Sequence, residues 1–225
     1  MRDQTIPHTL TNFHLVLDLD STLLYTDEII QNYDSVYRYD LIDRLYRFAI
    51  TDANRGIPIG TGMTQKMWLS LRPGVRDFLR FAPRYFRTIS VWSAGEDRYV
   101  RTICGWLFTG IPLACIYTRN DTTIDNQHNV IRKPLSKFWT DFPEANPTNT
   151  LIIDDRADTF ALNSANGILV KPYGNTQGPS IAYLRALIDA QDKTFQNIQK
   201  WLMDYATLAA SDIRLIQKPD FVSTS

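Results

Sequence analysis

Five short apolar runs that break off abruptly in polar residues restrict the fold more than any other feature of this chain. They are HLVLDLD (14–20), TISVWSAG (88–95), LACIYTRND (113–121), LIIDDR (151–156) and GILVKPY (167–173). Their apolar residues run together without the alternation of a half-exposed strand, so each suits a strand covered on both faces, as in a parallel sheet. Helical patterns lie between them. GVRDFLRF (74–81) spaces Val75, Phe78 and Leu79 as i, i+3, i+4, and EDRYVRTICGWLF (96–108) carries Tyr99, Val100, Ile103, Cys104 and Leu107 on one stripe. PLSKFWTDF (134–142) opens with Pro134 at a first helical position, and ADTFAL (157–162) makes a short turn or helix. Strand alternating with helix predicts an α/β fold with a doubly wound, mostly parallel central sheet.

Two segments leave that rhythm. Residues 27–71 are long for a connection and hold extended-looking stretches, SVYRYDLI and QKMWLSL, around the turn-prone NRGIPIGTG (54–62). The reading is a small antiparallel flap inserted after the first strand. Residues 180–217 read as helical throughout, with Leu184, Leu187 and Ile188, then Trp201, Leu202 and Tyr205, at helical spacing. The domain plan is then an N-terminal arm (1–12), one domain (13–217) containing the flap and the C-terminal helices, and a frayed tail (218–225).

Charge narrows the function. Lysine plus arginine equals aspartate plus glutamate at 24 each, so no bulk charge argues for direct nucleic-acid binding or an anionic membrane surface. Locally, residues 18–43 hold seven acids against Arg38, and residues 72–101 hold seven arginines against Asp77, Glu96 and Asp97. The opening residues carry an acid and no apolar stretch, and no apolar run is long enough to span a bilayer. Cys104 and Cys115 make no C-x-x-C pair and have no arginine six positions on, which sets aside a disulfide framework and a cysteine phosphatase. The expectation is a soluble intracellular protein of nucleus or cytoplasm, with its thiols reduced in the core; nothing in the sequence speaks to its oligomeric state. His8, His14 and His128 have no metal-ligand spacing, and Gly60 to Gly62 form a turn with no phosphate-loop lysine after it.

Open α/β sheets bind ligands beyond the carboxyl ends of their strands. The residues that end these runs should therefore meet: Asp18 and Asp20, Ser93, and Asp154 and Asp155, with Lys133 in the loop before the 134–142 helix. Unit charges about 4 Å apart repel by roughly 4 kcal/mol at an effective dielectric near 20, so such a cluster needs a cation. All-oxygen donors select a hard ion such as Mg²⁺. Acids holding Mg²⁺ beside a lysine make a site for phosphate.

VLDLDSTLL also has the form D-x-D-x-T, with Thr22 at the last position. With this motif, the chain resembles the haloacid-dehalogenase superfamily, and within it the FCP/SCP branch of RNA polymerase II C-terminal-domain phosphatases. LRPGVRDFLR, YFRTISVWSAGEDRYV, RKPLSKF, LIIDDRADTF and SDIRLIQ are similar in turn to that branch's later motifs, so the likeness covers residues 13–217. It implies a Mg²⁺-dependent phosphoserine/phosphothreonine phosphatase. Asp18 would be the nucleophile that forms an aspartyl-phosphate, Asp20 the general acid and then base, and Thr22 the loop's anchor. Ser93 would bond a phosphoryl oxygen, Lys133 would neutralise charge, and Asp154 and Asp155 would hold Mg²⁺ with Asp18 and the Asp20 carbonyl. Arg119 and Arg72 are candidate substrate contacts. The implied partner is a phosphorylated protein or peptide, foremost the polymerase C-terminal-domain repeats, with the flap aromatics Tyr25, Tyr33, Tyr37, Tyr39, Tyr46, Phe48 and Trp68 as a surface for its prolines. Two departures stand out: Ser93 where the branch usually has threonine, and Pro134 where it has aspartate. Two alternatives fit the same motifs, a small-molecule or nucleic-acid-end phosphatase of the same superfamily and a catalytically weak phosphopeptide-binding module.

Overall fold

In chain order the elements are β1 (His14–Leu17), β2 (Leu24–Asp27), β3 (Leu45–Thr51), β4 (Thr64–Leu71), α1 (Val75–Tyr85), β5 (Thr88–Trp92), α2 (Asp97–Leu107), β6 (Ile116–Tyr117), β7 (Thr123–Asp125), β8 (Val130–Arg132), α3 (Leu135–Asp141), β9 (Thr150–Asp154), β10 (Gly167–Leu169), α4 (Thr194–Leu202) and α5 (Tyr205–Leu208). The computed structural model describes residues 9–28, 33–51, 62, 64–174, 185–187, 189 and 191–222. Much of the turn-prone 54–62 stretch, together with Leu184 and Ile188, lies outside them.

The apolar runs make a five-stranded parallel sheet in the order β10-β9-β1-β5-β6. Every residue of β1 and β9 is buried, because the sheet is covered on both sides. Alternate side chains divide between two layers, as strand geometry requires. Leu15, Leu17, Ile89, Val91, Leu151 and Ile153 join the larger core, under α1, α2 and α4. Val16, Trp92 and Ile152 point the other way, onto Leu135 and Phe138 of α3 and onto Phe160. This is the doubly wound α/β plan expected from the runs. Gly167 begins β10 where a β-carbon would collide with the Phe160 ring, so only glycine fits that edge.

The flap is a three-stranded antiparallel sheet in the order β2-β4-β3. It matches the expected type of insertion, but not its strand placement. The extended-looking SVYRYDLI forms turns and a 3₁₀ segment at Tyr39–Leu41, and the strand is LYRFAIT, Leu45–Thr51. Tyr33, Val36 and Leu41 instead close over Leu45 and Trp68 as a small core of their own. The run 113–121 yields only the two residues of β6 before a 3₁₀ turn, Arg119–Asp121, in which the Asp121 carboxylate accepts from Thr118 N–H at 2.9 Å.

A short hairpin, β7–β8, delivers Lys133 directly after its second strand and was not anticipated. The C-terminal segment is not continuously helical among its described residues. Residues 191–193 are coil, and α4 then buries Phe195, Ile198, Trp201 and Leu202. The segment 218–222 is tied down: Phe221 is 2% exposed against Trp201, and Lys218 Nζ donates to the Ala165 carbonyl at 2.7 Å.

Candidate active site

Sheet register builds the site. Leu17 of β1 is level with Val91 of β5 and Ile153 of β9, so Asp18, Ser93 and Asp154 emerge at one edge. Asp18 N–H still donates to the Ile153 carbonyl at 3.0 Å, which fixes its backbone to the neighbouring strand. The chain then turns sharply through Ser21, at φ 61°, while Thr22, Leu23 and Leu24 all donate to the Leu19 carbonyl. Thr22 closes this loop against the third strand. Its hydroxyl accepts from Asp155 N–H at 3.0 Å and donates to Asp155 Oδ1 at 3.3 Å.

Lys133 arrives from the β7–β8 hairpin, its N–H held by the Thr159 carbonyl at 2.6 Å. Its ammonium is buried between Asp18 Oδ1 at 2.5 Å and Asp154 Oδ2 at 2.6 Å. Asp18, Asp154 and Asp155 each place a carboxylate oxygen within 4.8 Å of the others. Burial pushes Asp18 up to about 8, against the pull of Lys133 and with the repulsion of Asp154. Burial, then the Asp154 charge, raises Asp155 to about 6. Burial pulls the Lys133 ammonium down, but the two carboxylates outweigh it and its pKa rises. One cation facing three crowded carboxylates leaves Asp18 holding its proton near neutral pH and Asp155 titrating just below it, so the site is short of positive charge. Three hard oxygen donors fit a divalent ion such as Mg²⁺.

Asp20 is set apart from that trio. Its carboxylate turns into an adjoining cleft of about 240 Å³, which Thr26, Ile50, Met67, Gly95, Tyr99 and Arg119 also line. Oδ1 accepts from the Tyr99 hydroxyl, whose oxygen in turn lies 3.1 Å from Thr26 Oγ1. Oδ2 has the Ser93 hydroxyl at 3.5 Å, while Ser93 Oγ accepts from Gly95 N–H at 3.0 Å. Burial raises the Asp20 carboxyl, with the Tyr99 hydrogen bond opposing it. Burial, then the Asp20 charge, holds the Tyr99 phenol well above its usual range.

The edge thus brings together Asp18, Thr22, Lys133, Asp154 and Asp155, with Asp20 and Ser93 beside them. Arg119 reaches the cleft rim, where it donates to the Ala94 carbonyl at 2.9 Å and pairs with Glu96 at 3.0 Å. Arg72 differs from its expected role. Its guanidinium is 1% exposed and binds Asp192 at 2.8 Å, the Thr22 carbonyl at 3.2 Å and Thr194 at 3.1 Å, so it clamps the Thr22 loop to the start of α4.

The flap aromatics are also placed differently from the sequence reading. Tyr33 and Trp68 stack in the flap's own core, and Phe48 lies in the main one. Tyr46 stacks on Trp106 at 4.4 Å, and Tyr39 stands 87% exposed. The cleft's flap wall is Thr26, Ile50, Gln65 and Met67.

Tyr99 is the site residue that sequence reasoning missed, because it sits in a stripe that reads as helix core. Its position in the first turn of the helix after β5 was the available signal, since such turns face the strand-end crevice.

A family model of NLI interacting factor-like phosphatases matches residues 13–214. Among solved structures, Fcp1, described as an essential RNA polymerase II CTD phosphatase, superimposes with a TM-score of 0.57 at 17% identity, over 92% of this chain and 58% of that one. A variant of the fission yeast RNA polymerase II CTD phosphatase Fcp1 bound to beryllium fluoride gives 0.55 at 16% identity, over 88% of this chain and 57% of that one. This chain therefore spans under three fifths of either, and at these identities the likeness establishes the fold. No curated protein sequence matches significantly.

Proposed function

The chain belongs to the NLI interacting factor-like phosphatase family, and from that premise we propose a Mg²⁺-dependent protein serine/threonine phosphatase that works through an aspartyl-phosphate. Its proposed substrate is phosphoserine in the RNA polymerase II C-terminal-domain repeats or a similar phosphoprotein. The observation that carries this reading is a division of labour among carboxylates. Asp18, Asp154 and Asp155 crowd around one end of the site, whereas Asp20 is held separately by Tyr99 at the cleft.

Asp18 attacks phosphorus, an O–P bond forms to its carboxylate, and the bond from phosphorus to the serine oxygen breaks. Asp20 gives its proton to that leaving oxygen. The Asp20 carboxylate then takes a proton from water as the water attacks phosphorus, releasing phosphate and restoring Asp18. Lys133, fixed on Asp18 Oδ1, orients the nucleophile and offsets the charge that gathers on the phosphoryl group. Ser93 supplies a hydroxyl beside Asp20 for a phosphoryl oxygen. Asp18, Asp154 and Asp155, with the Asp20 carbonyl, would hold Mg²⁺, which supplies further neutralisation of phosphoryl charge. Arg119, at the cleft rim, would contact the peptide.

The test is a panel of phosphoserine and phosphothreonine peptides, polymerase-repeat peptides included, with Mg²⁺ or EDTA. Phosphate release that needs Mg²⁺ and vanishes in Asp18→Asn is the expected result. Release that survives EDTA or that substitution would overturn the mechanism.

A further inference from the structure

Asp20 has a partner that the proposed chemistry leaves unused. Tyr99, in the first turn of α2, donates its hydroxyl to Asp20 Oδ1. A phenol has one proton, so with that proton on Asp20 the Thr26 hydroxyl must be the donor at 3.1 Å, and Tyr99 the acceptor. The result is a directed chain: Thr26 on the first flap strand, Tyr99 on the helix, Asp20 on the nucleophile loop. All three also line the cleft.

We propose that Tyr99 is the positioning residue of the general acid: by occupying Oδ1 it fixes the Asp20 carboxyl so that Oδ2 carries the proton delivered to the leaving oxygen. The inference rests on the phosphatase reading above. The geometry around Oδ2 supports it. Ser93, the only other side chain bonded to Asp20 among the described residues, sits at 3.5 Å, the outer limit of a hydrogen bond, and is anchored from behind by Gly95 N–H at 3.0 Å. Oδ2 is thus the lightly held oxygen and Oδ1 the tightly held one. Without Tyr99 the carboxyl is free to rotate about its Cβ–Cγ bond, and the productive orientation becomes one of several. Thr26 adds direction to the chain, because a hydroxyl that accepts a hydrogen bond is a better donor. A residue of the flap thereby sits in line with the acid, so the strand that walls the cleft also helps set its geometry.

Leaving-group dependence separates positioning from a structural role. An alkoxide as poor as serine's needs protonation as it departs, whereas an activated aryl phosphate such as 4-nitrophenyl phosphate leaves as a stable anion. General acid catalysis is worth roughly 10²- to 10⁴-fold, so partial misalignment of the acid should cost part of that range. For Tyr99→Phe in the full chain with Mg²⁺, kcat/KM for a phosphoserine peptide should fall about 30-fold, while that for 4-nitrophenyl phosphate falls less than about threefold. Because kcat/KM covers the first phosphoryl transfer alone, later hydrolysis of the acyl phosphate does not blur the comparison. Thr26→Val, of nearly the same shape, should give the same ordering with a smaller gap. The aryl ester serves as the internal control for folding. Equal losses on both esters, or none on either, overturn the positioning role while leaving the nucleophile assignment standing. A wild-type chain inert on both esters sinks the phosphatase reading, and this inference with it.

Discussion

The carboxyl edge of the central sheet and the flap are both made of strands in this domain, yet they are held by opposite kinds of force. At the edge, Asp18, Lys133 and Asp154 are each at most 6% exposed, and each is tolerable there only because of the others. Their partners lie far away in sequence: Lys133 stands 115 residues from Asp18. In the flap, contact area does the work. One face puts Phe48, Ile50 and Met67 into the main core, and the other puts Leu45 and Trp68 under Tyr33, Val36 and Leu41. An isosteric change of charge should therefore ruin the edge, whereas in the flap lost volume is what counts.

The sharpest way to break that contrast is Asp18→Asn, which keeps the volume and removes the attacking charge. Turnover of 4-nitrophenyl phosphate should fall at least about 10³-fold, to background, with thermal unfolding still cooperative. Turnover within tenfold of wild type would remove Asp18 from the chemistry and leave the edge as structure alone.

Lys133→Met tests the same edge through stability. Taking one partner from a buried charge group costs about 3–5 kcal/mol, because the carboxylates are left uncompensated. Urea unfolding in EDTA should show a loss of that order, and saturating Mg²⁺ should recover most of it by supplying the missing positive charge. An unchanged midpoint in EDTA would mean that the three side chains are not coupled as their distances imply.

On the flap side, Trp68→Ala removes a ring that is 6% exposed and stacked 5.7 Å from Tyr33. A buried Trp→Ala change costs about 3–5 kcal/mol, and a small satellite core suggests the low end. Activity per folded molecule toward the aryl ester should stay within about twofold, since Trp68 does not line the cleft. A large activity loss at full stability would show that the flap's outer core governs the site. Deleting most of the flap would test this less cleanly, because it also strips Phe48 and Ile50 from the main core.

The same contrast explains what was legible beforehand. Strand-end acids announce themselves, because a doubly covered strand has no other reason to finish in VLDLD or LIIDD, and Asp18, Asp154, Asp155 and Lys133 do converge. The flap's antiparallel character was legible too, but its strands were not. SVYRYDLI and LYRFAIT carry similar mixtures of apolar and polar residues and both pack against Trp68, and only the ladder that Leu45–Thr51 makes with β4 tells the strand from the turns. Arg72 and Tyr99 were misjudged for a related reason. A lone arginine beside a helix start reads as exposed, and a tyrosine in an apolar stripe reads as core. Their true roles depend on Asp192, Thr194 and Asp20, which no local pattern brings near.

The smallest expected effect concerns protons and metal at the edge. Burial raises Asp155 from 3.8 to about 6, and Asp18 from 3.8 to about 8. A raised carboxyl pKa means that the folded state binds protons which the unfolded state has already released. That contribution to stability is whole below pH 3.8 and is lost as pH climbs through 6 and then 8. A divalent cation competes for the same oxygens and binds their ionised forms, so its hold should strengthen over that window. Binding to the folded state alone at about 100 times Kd is worth about 2.7 kcal/mol, and for a chain of this size each kcal/mol moves Tm by about 2–4 °C. Mg²⁺ should therefore raise Tm by about 5 °C or more at pH 8 and by clearly less at pH 5.5. In Asp155→Asn the gain should shrink at both values. Burial lowers the pKa of the His14 imidazole, but His14 lies at the opposite end of β1 and should shift Tm equally with and without the ion. A Mg²⁺ gain independent of pH would mean that Asp18 and Asp155 are already ionised, or that the ion binds elsewhere, and the edge would then lose its claim to be short of positive charge.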